Sequence, residues 1–119
     1  LQSVTGPRGQ HRMLAGPRTY RTALDQETAA VLRDDMFAVV NSGTGGRAKV
    51  SGLRVGGKTG SAEASDDKSI PPHAWFAGFV ADDAHPLAVA VVVENGNSGG
   101  QVAAPLASKI LGRAVSLGL

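Results

Sequence analysis

The glycine-rich run Val55-Gly56-Gly57-Lys58-Thr59-Gly60-Ser61-Ala62-Glu63 constrains the fold of this chain more than any other segment. A cation, a hydroxyl and a glycine in succession suit the edge of a β-strand that holds an anionic group against its backbone. Lysine supplies three donors and a point charge, and threonine adds a rigid hydroxyl. Glycine removes the side chain that would block close approach. We therefore expect a strand with a ligand site at Lys58, Thr59 and Gly60.

The same segment also satisfies the pattern of a nucleotide-binding P-loop. Residues 52–59 match G-x-x-x-x-G-K-[ST] at every fixed position, and Val91-Val92-Val93-Glu94 resembles the acidic strand that accompanies such loops. A P-loop requires a helix directly after it, because the helix N-terminus receives the phosphates. Residues 60–69 contain no large apolar side chain, so a helix there would have no face to bury. The P-loop is therefore the weaker alternative.

Two further strands are predicted after this segment. His73–Val80 is rich in aromatic residues and valine and follows Pro71-Pro72. Pro86–Val93 is an almost continuous apolar run, which is typical of a strand buried on both faces. The short polar connection between them predicts an antiparallel hairpin.

An amphipathic helix is predicted upstream, from Gln26 to Asn41. Asp25 is the expected N-cap, and Glu27 favours the positive end of the helix dipole. Gly43 is expected to end the helix in the left-handed conformation. The predicted buried face comprises Ala29, Leu32, Met36, Val39 and Val40.

A second helix is predicted from Gln101 to Val115, with Pro105 in its first turn. Its apolar positions at helical spacing are Val102, Leu106, Ile110 and Leu111. The order of elements is therefore helix, glycine-rich turn, strand, two-stranded hairpin and helix.

Four sequence blocks, in this order, resemble the C-terminal portion of a penicillin-binding protein transpeptidase domain. They are residues 39–45 (Val-Val-Asn-Ser-Gly-Thr-Gly), 57–63 with the K-T-G motif, 73–79 (His-Ala-Trp-Phe-Ala-Gly-Phe) and 99–105. The resemblance covers Asp25 to Ala114 and is nearer to the monofunctional, class B members. It implies the α+β fold shared with serine β-lactamases, in which an antiparallel sheet is flanked by helices.

The motifs that complete such a site are not in the chain. The family's nucleophile is the serine of S-x-x-K, which precedes the K-T-G strand, and a second motif is S-x-N. The string Ser65-Asp66-Asp67-Lys68 follows K-T-G and lies in a charged stretch, and no S-x-N occurs. We therefore expect residues 1–119 to be the C-terminal segment of a single transpeptidase domain, with the N-terminal half of the same protein as its partner.

The resemblance assigns roles to four residues. Lys58 would bridge the S-x-N serine and the substrate carboxylate and assist proton relay, so it is both catalytic and substrate-binding. Thr59 would donate its hydroxyl to that carboxylate, and Gly60 would let the peptide lie along the strand. The backbone N–H of Ser61 would contribute to the oxyanion hole, which makes Ser61 a catalytic and substrate-binding position.

Other polar and aromatic residues are assigned structural roles. Glu63 is expected to order the strand end, His73 to have a structural role or to lie at the rim of the site, and Trp75 to lie in the core or the cleft wall. His11 and His85 are expected in loops, and no two histidines have a metal-ligand spacing. We expect no metal and no cofactor.

Composition limits the remaining possibilities. The 119 residues, 42% of them apolar, suffice for one domain, but three strands and two helices would leave one sheet face uncovered. The net charge is +2, and the arginines that precede Asp25 are scattered, with Tyr20 as the one aromatic residue among them, so no nucleic-acid partner is expected. Because no apolar run approaches the ~20 residues of a membrane span, any membrane anchor is expected outside this chain.

The resemblance implies part of a peptidoglycan D,D-transpeptidase that cross-links stem peptides through an acyl-serine intermediate. Such an enzyme is acylated by D-Ala-D-Ala peptides and by β-lactams, at the extracytoplasmic face of the bacterial cytoplasmic membrane. A D,D-carboxypeptidase, a β-lactamase or a β-lactam sensor of the same fold remains an open alternative.

Overall fold

The structure is a computed structural model that describes residues 3–5, 7–9, 11–14, 19–63 and 65–119. In chain order its elements are β1 (Ser3–Thr5), β2 (His11–Leu14), α1 (Gln26–Ser42), a 3-10 helix (Gly46–Ala48), β3 (Val55–Ala62), β4 (His73–Val80), β5 (Ala88–Val93), a wide helical turn (Gly99–Ala103) and α2 (Ala104–Ser116).

The central sheet has three antiparallel strands in the order β3-β4-β5. The register runs from Val55 opposite Val80 to Ala62 opposite His73, and Trp75 of β4 lies opposite Val92 of β5. The predicted α+β fold and the predicted hairpin are therefore confirmed. Strands β1 and β2, which the sequence did not predict, pair as a separate two-stranded antiparallel sheet that places His11 in a strand rather than in a loop.

Helix α2 covers one face of the sheet and forms the core with it. Phe76 at the centre of β4 is fully buried beneath it. The side chains of α2 that are buried are mostly small: Ala104, Ala107 and Leu111. Of the predicted apolar positions only Leu111 is buried, whereas Leu106 is 40% and Ile110 50% exposed. Alanines allow the helix to pack closely on the sheet, and the larger Leu106 and Ile110 point away from it.

Helix α1 was predicted to within one residue, and its cap is confirmed. The Asp25 carboxylate accepts a hydrogen bond of 2.7 Å from the Thr28 N–H, and this bond lowers the pKa of Asp25. The buried face was predicted only in part: Val40 is buried, but so is Phe37, which the sequence analysis missed. Leu32 is 49% exposed and Ala29 is also exposed, so the first turns of α1 contribute little to the buried face.

Gly43 does not adopt the predicted left-handed conformation. Its φ is −108° and its ψ is −156°, an extended backbone, and its N–H donates to the Val39 carbonyl. Glycine is needed there for space instead, since a Cβ atom would lie 3.0 Å from the Val39 Cα and carbonyl oxygen.

Strand β5 was predicted to be buried on both faces, and this was wrong. It lies at the edge of the sheet, and its exposed residues alternate with more buried ones: Ala88, Ala90 and Val92 point away from α2. The same face of the sheet carries Trp75, which is 43% exposed. The predicted uncovered sheet face is therefore present, and Trp75 lies on it rather than in the core.

Candidate active site

A cleft of about 640 Å³ opens beside β3 and is formed by three segments of the chain. They are the turn after α1 (residues 43–47), residues 58–61 of β3, and residues 98–101 before α2. Successive side chains of a strand point to opposite faces, so four consecutive residues line one cleft only if it runs along the strand edge. Strand β3 pairs with β4 alone in the described sheet, so this edge presents backbone N–H and C=O groups without ladder partners.

Two glycines bring the third segment against the other two. A Cβ atom on Gly99 would lie 2.3 Å from the Trp75 carbonyl oxygen and 2.5 Å from that of Gly60. A Cβ atom on Gly100 would lie 2.5 Å from the Thr44 carbonyl oxygen. Only glycine permits such backbone contacts, and they fix the width of the cleft.

The cleft is electropositive. Lys58 is exposed, and its ammonium group donates to the Thr59 carbonyl at 2.7 Å. Arg47 also lines the cleft, and among the described residues no Asp or Glu does so. Two cations without a neighbouring carboxylate favour the binding of an anion.

Two hydroxyl groups meet inside the cleft. The Oγ1 atoms of Thr44 and Thr59 lie 2.7 Å apart, a hydrogen bond in which either can be the donor. This contact joins segments 15 residues apart in the sequence.

The structure brings together all four predicted site residues, because Lys58, Thr59, Gly60 and Ser61 all line the cleft. The cleft-lining residues without a predicted role in the site are Gly43, Thr44, Gly46, Arg47, Ser98, Gly99, Gly100 and Gln101. Most of them could have been found from the sequence. Gly43 and Thr44 belong to the first block of the resemblance, and Gly99, Gly100 and Gln101 belong to the last.

Other candidate residues lie outside the cleft. The Nδ1 atom of His73 is 3.0 Å from the Asn95 backbone nitrogen, from which it accepts a hydrogen bond, so His73 orders a turn. Glu63 forms an ion pair with Lys68 on the surface. Trp75 does not line the cleft either, although its carbonyl contacts Gly99.

Two alternative motifs are not supported by the local structure. Lys58 and Thr59 lie inside an eight-residue strand, and within the described residues 63 and 65–72 no helix follows it. The P-loop alternative is therefore wrong. The string from Ser65 to Lys68 lies in an irregular loop rather than at the start of a helix, and the Ser65 hydroxyl accepts a hydrogen bond from the Asp67 N–H.

Residues 14–112 match the family model described as the penicillin binding protein transpeptidase domain. The chain belongs to this family. Among the curated members, peptidoglycan D,D-transpeptidase PbpA of Mycolicibacterium smegmatis is 32% identical over 99% of the chain, and the match spans 25% of that relative. The chain thus spans about a quarter of the length of this transpeptidase.

Solved structures of transpeptidases have the same fold. The D,D-transpeptidase domain of a peptidoglycan glycosyltransferase from Eggerthella lenta superposes with a TM-score of 0.77 at 31% identity, covering 98% of this chain and 26% of that one. Penicillin-binding protein A of M. tuberculosis, as its ceftriaxone acyl-enzyme complex, gives a TM-score of 0.73 at 32% identity, covering 98% and 26%. In the part of this transpeptidase segment that the structure describes, no helix is both long and apolar enough to span a membrane.

Proposed function

We propose that this chain is the C-terminal segment of a serine D,D-transpeptidase domain and supplies one wall of its active site. The observation that carries the proposal is the cleft along the open edge of β3, where Lys58, Thr59, Gly60 and Ser61 line up in a site with two cations. An extended peptide can add to such an edge as a further strand, while the cations hold its terminal carboxylate.

Each residue then has a chemical role. Thr59 donates its hydroxyl to the carboxylate of D-Ala-D-Ala or of a β-lactam, and Lys58 adds its positive charge and takes part in proton relay. Gly60 leaves room for the peptide backbone. The Ser61 N–H is one donor of the oxyanion hole and stabilises the tetrahedral intermediate of acyl transfer.

The rest of the machinery belongs to the N-terminal half of the same protein. That half carries the nucleophilic serine of S-x-x-K and the S-x-N serine that contacts Lys58. The serine attacks the D-Ala-D-Ala amide carbonyl, the terminal D-Ala leaves, and the acyl group passes to an amine of a second stem peptide. The assembled domain acts on peptidoglycan outside the cytoplasmic membrane, to which a segment beyond this chain anchors it.

The test is acylation of the complete protein by a fluorescent penicillin. Lys58→Ala is expected to lower the second-order acylation rate by about 10²-fold or more, because a charge is lost from the transition state. Folding should be unaffected, since Lys58 is exposed. Lys109→Ala on α2 is the matched control: this exposed lysine lies outside the cleft and should react like the parent. If Lys58→Ala reacts as fast as the parent, the assigned site is wrong.

A further inference from the structure

We infer that Thr44 is a positioning residue of the carboxylate site and sets the direction of the hydrogen bond that Thr59 offers to the ligand. The inference rests on the proposed function, in which Thr59 binds a carboxylate. Its structural basis is the 2.7 Å contact between the Oγ1 atoms of the two threonines, inside the cleft that both residues line.

The number of protons on the two hydroxyls determines the direction of the hydrogen bond between Thr44 and Thr59. Each threonine hydroxyl has one proton to donate and two lone pairs to accept with. A carboxylate only accepts, so Thr59 must use its single proton on the ligand. The bond between the threonines then requires the proton of Thr44, which points at the Thr59 oxygen. In the reverse arrangement Thr59 would present lone pairs to an anion, which is repulsive.

A hydroxyl that accepts a hydrogen bond becomes a better donor, because linked hydrogen bonds polarise one another. Thr44 therefore strengthens the bond from Thr59 to the carboxylate without touching the ligand itself. Lys58 and Arg47 attract the same negative charge and favour this direction of the pair.

The backbone around Thr44 is fixed independently of Thr59. The following Gly45 is buried and donates its N–H to the Val39 carbonyl at 3.0 Å. Ala48 is completely buried, and the Lys49 carbonyl accepts a 2.7 Å hydrogen bond from Ser108 of α2. Thr44 is thus held on a packed segment, as a positioning group requires.

The experiment compares benzylpenicillin with its methyl ester, which lacks the free carboxylate, on the complete protein. The readout is the ratio of their second-order acylation rates within each variant, since a general loss of folded protein cancels in the ratio. Thr44→Val keeps the branched shape and removes the hydroxyl. We expect it to lower the acid-to-ester ratio by about three- to tenfold, the effect of one ordinary hydrogen bond. Thr44→Ser should restore the ratio.

Two further variants separate this inference from the proposed function. Thr59→Val should lower the ratio by about tenfold or more, and adding Thr44→Val to it should lower it no further. Ser42→Ala removes a nearby hydroxyl that donates to the Ala38 carbonyl outside the cleft, and should leave the ratio unchanged.

If Thr59→Val lowers the ratio and Thr44→Val does not, the role of Thr44 is wrong and the proposed function stands. If Thr59→Val leaves the ratio unchanged, the carboxylate site itself is misassigned, and the role of Thr44 is wrong with it. A Thr44→Val effect that persists in full in the Thr59→Val background also contradicts the inference, because Thr44 would then act without Thr59.

Discussion

At the residue scale, the site depends on backbone groups that approach one another where no side chain intervenes. Gly99 contacts the backbone of both Gly60 and Trp75, and Gly100 contacts that of Thr44. The cleft-lining segment at residues 98–101 is thus positioned by the absence of Cβ atoms. This explains why a turn without catalytic side chains is part of the site.

Gly99→Ala tests this packing. Its new methyl group would face carbonyl oxygens at 2.3 and 2.5 Å, and backbone atoms cannot move aside as a flexible side chain can. We expect the free energy of unfolding of the complete protein to fall by about 1–3 kcal/mol, as in other overpacked sites, with slower acylation by penicillin. Chemical denaturation and acylation rates measure the two effects.

The matched control is Gly46→Ala, which changes another glycine of the same cleft. The nearest atom to its added Cβ would be the Val40 carbonyl oxygen at 3.8 Å, an ordinary contact. Its free energy of unfolding should change by no more than about 0.5 kcal/mol. If Gly99→Ala is as stable and active as Gly46→Ala, the cleft does not depend on the close approach.

That the K-T-G residues share one strand could be predicted from the sequence because the pattern is local. Charge, hydroxyl and glycine follow one another on one strand, and neighbouring motifs identify the strand. The partnership of Thr44 with Thr59 was not predictable in this way. It requires the turn after α1 to return to the edge of β3, and nothing in the composition of that turn reveals where it returns.

At the element scale, the bounds of helices and strands were predicted better than their buried faces. The spacing of apolar residues predicts where a helix lies in the sequence, but the element against which it packs determines which of its side chains are buried. Helix α1 packs on β3 through its C-terminal turns, so Leu32 stays exposed although it lies on the expected apolar stripe. Strand β5 has an apolar sequence but lies at the edge of the described sheet, so only its inner face is covered.

Phe37 joins α1 to the sheet and is the most informative substitution at this scale. Its ring is buried and packs edge-on against Phe79, with 5.5 Å between the two ring centroids. The Cζ atom of the Arg54 guanidinium lies 3.9 Å from the centroid of the Phe37 ring. Phe37→Ala should lower the free energy of unfolding by about 3–5 kcal/mol, measured by chemical denaturation. Leu32→Ala, on the same helix but half exposed, should change it by no more than about 0.5 kcal/mol. If the two substitutions lowered the free energy of unfolding equally, Leu32 would belong to the buried face of α1, as the sequence predicted.

At the scale of the whole molecule, the described residues form one wall of a cleft rather than an enclosed site. The outer face of the sheet exposes Trp75 and Val92, and the free edge of β3 is open. The proposed N-terminal half would supply the opposite wall together with the nucleophile. In this chain the family's S-x-x-K motif occurs only as the string from Ser65 to Lys68, and Ser65 does not line the cleft. Within that string Lys68 forms an ion pair with Glu63 on the surface.

The isolated 119-residue chain should therefore form no stable covalent adduct with benzylpenicillin. The complete protein, treated in the same way, should gain the mass of one penicilloyl group per molecule. Mixing the chain with a separately produced N-terminal half should restore that adduct, on the half that carries the serine. Intact-mass spectrometry after incubation distinguishes these products, and peptide mapping locates the modified residue.

A stoichiometric adduct on Ser61 or Ser65 of the isolated chain would show that it holds its own nucleophile, and the division of the active site between two halves would have to be abandoned. The outcome separates a chain that positions a ligand from one that also performs the attack, because binding needs only the charges and the strand edge, whereas acylation needs an activated hydroxyl.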